Sequence, residues 1–392
     1  MTIGKLFDFE AMSSELRTLR QHIHRHPELA YEEHATAALV AERLRSWGYE
    51  VTSGVGTTGV VGTLRAGSGV RSIGLRADMD ALPIHEETGL GYASSVPGTM
   101  HACGHDGHTA ILLGAAKYLA TTQQFSGTLN LYFQPAEEKG HDSGASRMIA
   151  DGLFERFPCD AVFGLHNHPG QPAGKFLFRS GPFMAASDKV VITIHGKGGH
   201  AARPHLAIDP AVVAASVVMA LQTIVSRNID PAQAAVVTVG VLHSGSANNV
   251  IAGSATLELS ARSFSDAVQQ QLRERIATIA QGQAESYGAT AQVSFLPGYP
   301  VLVNTSVETE LAISVARELF GDAQVDDHFD LVTASEDFAY MLQQRPGCFL
   351  RLGNGTLHEG FPVHHPKYDF NDRNLPVGAA YWSRLVERYL VD

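Results

Sequence analysis

The chain has 392 residues, 44% hydrophobic and 18% charged, with 29 basic against 40 acidic side chains and a formal net charge of -11. An acidic chain without a basic run is a poor partner for nucleic acid or an anionic membrane surface, so those function classes are set aside. The length exceeds what one hydrophobic core usually serves, and two domains are expected.

Leu16, Leu19 and Ile23 recur at helical spacing and predict a helix over 12–26. His22, His24 and His26 close it before Pro27 and are read as solvated or capping side chains. A second helix is predicted over 35–47, stopped by Gly48. The first sixteen residues lack a cationic start followed by an apolar run, so no leader is expected. No uninterrupted apolar stretch reaches the roughly 20 residues a spanning helix needs. Three widely spaced cysteines, Cys103, Cys159 and Cys348, make no disulfide framework. A cytoplasmic protein is therefore expected, with Cys103 free to bind metal and the other two thiols buried as small apolar groups.

Two β-rich runs, 59–65 and 72–76, lead to Asp78-Met79-Asp80. In open α/β sheets chemistry collects at the carboxyl ends of strands, and Asp78 and Asp80 share one side of an extended segment. The stretch Met100-His101-Ala102-Cys103-Gly104-His105-Asp106-Gly107-His108 follows. A thiol, imidazoles and a carboxylate this dense suit zinc and other late divalent metals and do not suit an apolar core. A helix is predicted over 108–121 and a strand over 127–133, which ends at Gln134-Pro135-Ala136-Glu137-Glu138. Adjacent glutamates point in different directions, so one can ligate a metal while the other faces a substrate. A strand over 161–165 ends at His166-Asn167-His168. Metal-ligand and acid/base residue types at successive strand ends are far more specific than any one motif.

From about Ala186 the pattern becomes β-α-β-β-α-β: strands 190–195, 235–242, 255–262 and 291–295, with helices 210–227 and 265–286. It reads as a compact α+β domain, 186–297, inserted into a first domain of 1–185 and 298–392. Beyond it come a helix over 308–320, a helix start at Thr333–Phe338 capped by Ser335, a strand over 349–352, His364-His365-Pro366 and a closing helix over 374–390. No Gly-x-Ser-x-Gly elbow or phosphate-cradling loop occurs, so a serine nucleophile is not supported.

In order, Arg76–Pro83, Met100–His108, Gln134–Glu138, Gly164–Asn167, Gly198–Ala201 and His364–Pro366 resemble the dinuclear-metal aminoacylase/carboxypeptidase family, in particular its hippurate hydrolase and indole-acetyl-amino-acid hydrolase branch. The resemblance spans nearly the whole chain. It implies an α/β, metal-dependent exopeptidase-like catalytic domain with a central mixed sheet flanked by helices, plus an inserted α+β lid of four strands and two helices. It implies two divalent ions, zinc, manganese, cobalt or nickel, held by Cys103, His105, Glu138, His166 and His364, with Glu137 as general base. His200 resembles the lid histidine that polarises the scissile carbonyl, often across a homodimer. Asn249 and Arg262 fall at substrate-binding positions, and the Arg262 fork suits a carboxylate.

Relatives often carry His-x-Asp where this chain has Asp78-Met79-Asp80, so Asp78 receives no ligand role and Asp80 is expected to support the catalytic site from behind the ligands. His364 is preferred to its neighbour His365, and His166 to His168. The implied activity is hydrolysis of an N-acyl-amino acid, such as hippurate, to a carboxylic acid and a free amino acid. A related metallo-deacetylase of the N-acetyl-diaminopimelate type, a dipeptidase, and a non-catalytic binding relative are the alternatives.

Overall fold

The computed structural model describes residues 9–358 and 360–391. The chain divides into two compact units, Met1–Gly181 with Val303–Asp330 and Asp337–Asp392, and Pro182–Leu302 with Leu331–Glu336.

In the first unit, helices α1 (Phe9–Arg25), α2 (His34–Ser46) and α3 (His105–Thr122) accompany strands β1 (Glu50–Val55), β2 (Gly59–Ala66), β3 (Ser72–Asp78), β4 (Gly127–Gln134) and β5 (Ala161–His168). Among the described residues these strands belong to one eight-stranded sheet, in the order β1-β2-β4-β3-β5, then Gly347–Gly353, Phe176–Leu177 and Val325–Asp326. The sheet is mixed. β4, β3, β5 and Gly347–Gly353 run parallel, while β1 and β2 are antiparallel at one edge. β3 and β5 are buried on both faces, which is why they read as near-continuous apolar runs. Helix α3 carries Ala110, Ile111, Leu112, Leu113, Ala115, Ala116 and Leu119, all fully buried. A helix apolar all round must be covered all round, and α1 and the closing helix Asn374–Tyr389 flank it. Parallel neighbours bring their carboxyl ends to one edge, where Asp78 lies in register with Gln134.

The second unit has a four-stranded antiparallel sheet, in the order Ala235–Ser244, Ser254–Ser263, Ala186–His195, Thr290–Pro297. Val190, Ile192 and Ile194 alternate inward along Ala186–His195 and pack with Val213, Val217 and Leu221 of helix Pro210–Thr223 and Leu272 and Ile276 of helix Asp266–Ser286. Asp209 and Ser265 cap these helices by accepting from the backbone N–H of Ala211 and Val268.

Several expectations need correction. His24 is not solvated but fully buried, with Nδ1 2.8 Å from Asp106 Oδ2; only His22 and His26 are exposed, and His26 Nδ1 donates to the His22 carbonyl. Ser335 does not cap a helix. The helix there begins at Phe338 behind Asp337. The return segment Leu331–Glu336 joins the second unit because Val332 exchanges backbone hydrogen bonds with Phe183 and Ala185; a single returning strand has no periodicity to betray it. Pro210–Asn228 is, at 19 residues and mean hydropathy 1.5, long and apolar enough by composition to cross a membrane, although Val213, Val217, Leu221 and Ile224 lie in the core of the unit as in a core helix. Strand β1 and the short helices Gly144–Ala150 and Leu153–Arg156 carried no signal that separated them from loop.

Candidate metal centre

The carboxyl edge of the sheet in the first unit gathers the candidate residues. Gly104, at φ +92°, sits at the N-terminus of α3 and turns the chain so that Cys103 precedes the helix and His105 occupies its first turn. β4 passes through Ala136, at φ +50°, into a one-turn 3₁₀ helix, Glu137–Lys139. Such a turn rotates neighbouring side chains about 120° apart, so Glu137 and Glu138 leave the backbone in different directions. His364 also has a left-handed backbone, φ +66°, and its N–H donates to the Ala102 carbonyl at 2.7 Å. Non-glycine residues in this region cost about 1–3 kcal/mol and cluster at functional sites.

Cys103, His105 and His166 present ligand atoms within 4.8 Å of one another; so do Cys103, Glu138 and His364, and likewise His105, Glu137 and Glu138. Shared members fuse these groups into one cluster, with Cys103 Sγ 3.4 Å from His166 Nε2 and His364 Nε2 3.0 Å from Glu138 Oε1. Asp80 braces it: Oδ1 lies 3.1 Å from His105 Nδ1, and Oδ2 accepts the Glu138 N–H at 2.9 Å. His166 Nδ1 donates to the Asn167 carbonyl at 2.6 Å, so Nε2 is the nitrogen turned to Cys103.

Without metal the charges in this cluster conflict. Burial pushes the Cys103 thiol up, and the charge of Glu138 adds to it. Burial likewise holds His166 well below the usual imidazole range, helped by His108 and Arg351. Hydrogen bonds to Cys103 and Glu138 push His364 up to about 10. His105 Nε2 is buried with no hydrogen-bond partner among the described residues, with Asp78 Oδ2 3.6 Å away. A thiolate, neutral imidazoles and a carboxylate are what late divalent cations select, and their binding drives the deprotonation that this cluster otherwise resists. The donor set therefore fits the two divalent ions that the family resemblance implies.

Glu137 is almost fully buried, and its Oε1 accepts the Asp337 N–H at 3.4 Å. His200, Asn249 and Arg262 belong to the second unit. His200 is exposed on Gly199–His200, which pairs with Val250–Ile251, and Asn249 is also exposed. Arg262 is half-buried and donates to the Ser335 hydroxyl at 2.8 Å and the Ser260 hydroxyl at 3.2 Å; no carboxylate pairs with it among the described residues. His168 and His365 join none of the ligand groups. His168 meets the Phe329 ring edge-on and His365 stacks on Phe361.

Sequence reasoning missed the parts behind the cluster. Asp78 is fully buried, accepts from Arg76 Nη1 at 2.8 Å, and holds His108 Nδ1 at 2.6 Å. His105 and His108 stand three positions apart on one face of α3, so both can meet Asp78, and that arrangement had a signal. Tyr368 and Arg351 had none, and Asn167 stood in the Gly164–Asn167 motif without a role.

A model of peptidase family M20/M25/M40 matches residues 74–388. The chain is 43% identical over 379 residues to a hippurate hydrolase from Campylobacter jejuni, covering 97% of each. It is 39% identical over 386 residues to an N-acetyl-L-cysteine deacetylase from Bacillus subtilis, covering 98% of this chain and 90% of that one. Among solved structures, a dinuclear metal binding peptidase of the M20 family from Bacillus subtilis aligns with a TM-score of 0.84 at 32% identity, over 97% of this chain and 99% of that one.

Proposed function

The chain belongs to peptidase family M20/M25/M40, and from that premise we propose that it is a metal-dependent amidohydrolase that cleaves N-acyl-amino acids of hippurate type to a carboxylic acid and a free amino acid. The observation that carries the reading is the convergence of Cys103, His105, Glu138, His166 and His364 at one edge of the sheet. These five side chains would hold two divalent ions, which when bound supply Lewis acidity toward the scissile carbonyl and lower the pKa of water. Glu137 takes the proton of the attacking water on its carboxylate and passes it to the departing amine nitrogen. His200 donates to the oxyanion as charge develops. Arg262, whose partners are hydroxyls, has its charge available for a substrate carboxylate. The test is amine release from benzoylglycine by metal-restored protein, abolished by chelation. Metal-loaded protein inert toward every N-acyl-amino acid offered would overturn the reading. The likeness to an N-acetyl-L-cysteine deacetylase favours a second reading with a short acyl group, and the ratio of kcat/KM for N-acetylcysteine and benzoylglycine separates the two.

Two substitutions test the parts. Asp80→Asn lowers metal affinity about 10–100-fold, because the carboxylate that holds both His105 and the Glu138 backbone loses its charge; chelator competition measures it, and unchanged affinity removes the role. His200→Ala lowers kcat about 100-fold with metal content intact. Loss of metal in that variant would make His200 a ligand instead.

The second unit supports a homodimer. Val236, Val241 and Leu242 are exposed on the edge strand Ala235–Ser244, and Val212 and Met219 on the helix Pro210–Thr223. Exposed apolar edges invite pairing with another chain. Light scattering is expected to return twice the mass of one chain, and Met219→Glu to shift it toward one.

A further inference from the structure

Asn167 has no part in the chemistry above, yet it is fully buried and uses both main-chain and side-chain groups between the ligand-bearing segments. Its N–H donates to His108 Nε2 at 2.9 Å, and its carbonyl accepts from His166 Nδ1 at 2.6 Å. Its side-chain Nδ2 donates to the Cys103 carbonyl at 2.5 Å, and its Oδ1 accepts from the Tyr368 hydroxyl at 2.9 Å. Asp78 holds the other side of the His108 ring, Nδ1 to Oδ1, at 2.6 Å. The chain of contacts thus runs from the end of β3 through the first turns of α3 to the end of β5, and back to the loop that carries Cys103.

An independent feature shows how tightly this is built. Gly104 lies directly against the Asn167 carboxamide. A Cβ there would stand 2.4 Å from Asn167 Nδ2 and 2.5 Å from the Tyr368 hydroxyl, and the backbone is at φ +92°. The glycine beside Cys103 is therefore required twice, by its left-handed turn and by the space that Asn167 and Tyr368 occupy.

Resting on the metal reading above, we propose that Asn167, oriented by Tyr368, is a positioning residue that fixes Cys103 and His166 relative to one another and so would tune an ion that these two side chains would help to hold. The backbone carbonyl of Asn167 selects the His166 tautomer whose Nε2 faces Cys103, and its carboxamide holds the Cys103 peptide. Partners of this kind orient metal ligands and tune the metal without touching it.

The experiment uses cobalt(II) restored to the metal-stripped full chain, where the near-ultraviolet thiolate-to-cobalt absorption reports the Cys103 bond. In Asn167→Ala the backbone bonds to His108 and His166 stay, while the side-chain bonds to the Cys103 carbonyl and the Tyr368 hydroxyl go, together with the longer Nδ2 contacts to His108 Nε2 at 3.2 Å and His166 Nδ1 at 3.5 Å. Cobalt affinity, from chelator competition, is expected to fall 10–100-fold, and the thiolate band to shift or weaken. A purely structural role would lower the melting temperature of the metal-free protein and leave affinity and band as in the wild type, which overturns the proposal. Tyr368→Phe deletes a single hydroxyl and serves if the first variant does not fold. It is expected to alter the same band with a several-fold loss of affinity, and an unchanged spectrum again overturns the proposal. A wild-type chain that shows no thiolate band at all sinks the metal reading, and this role with it.

Discussion

Glu137→Gln is expected to keep its metal and lose about 10²–10⁴-fold in kcat, the range general acid/base groups contribute. The two side chains have the same shape, and a glutamine oxygen still accepts the Asp337 N–H that Oε1 accepts. The turn itself is fixed from elsewhere: Glu33 Oε1 accepts the Ala136 N–H at 2.8 Å, and Glu33 is in turn held by Thr58 at 2.5 Å. What the substitution removes is the ability to take up and release a proton. The neighbouring Glu138→Gln has a different expected outcome, because Glu138 pairs with His364 and its backbone with Asp80. That variant is expected to lose metal as well as turnover. Metal analysis beside benzoylglycine turnover reads both. Near-wild-type turnover in Glu137→Gln would remove it as the base, and metal loss in that variant would recast it as a ligand.

The contrast between these neighbours shows what the sequence carried. Strand β4, its glutamate pair, strand β5 and the glycine-spaced Cys103–His108 run are all local patterns, and a parallel sheet needs only its strand order to bring their ends together. The side chains behind them were not legible for a physical reason. His24 meets Asp106 across 82 residues, Asn167 meets Tyr368 across 201, and Arg20 meets Asp372 across 352. Periodicity reports which face of an element is buried, not which distant polar group waits there. His24 shows the cost. Three alternating histidines at a helix end look solvated, and only tertiary packing makes the middle one a core residue. Ser335 erred in the opposite direction. Its capping pattern is sound locally, but the strand-like return of Leu331–Glu336 overrode it, and its hydroxyl accepts from Arg262 instead.

Arg20→Met is expected to destabilise the first unit by about 3–5 kcal/mol, the cost of leaving buried charge uncompensated. Arg20 is fully buried on α1, with Nη1 3.0 Å from Asp369 and 3.5 Å from Asp106, Nη2 2.7 Å from Asp372, and its guanidinium 4.7 Å from the Tyr92 ring centre. Asp106 is itself fully buried in the first turn of α3 beside His105, so this cation secures the helix that carries part of the candidate centre. Both tryptophans, Trp47 and Trp382, lie in the first unit, and denaturation followed by their fluorescence reads that unit alone. A loss below about 1 kcal/mol, the scale of an exposed pair, would show that the network is replaceable. His24 adds a pH signature. Burial works against its charged form, but hydrogen bonds to Asp106 and Glu86 outweigh it and raise the imidazole to about 9. A folded value above the unfolded one means that its stabilisation is complete below the ordinary imidazole range and is lost as pH rises through 9. The wild-type transition is therefore expected to weaken by up to about 1.4 kcal/mol per pH unit between pH 7 and 9. His24→Asn is expected to flatten that slope, and an equal slope in both proteins would place the titrating group elsewhere.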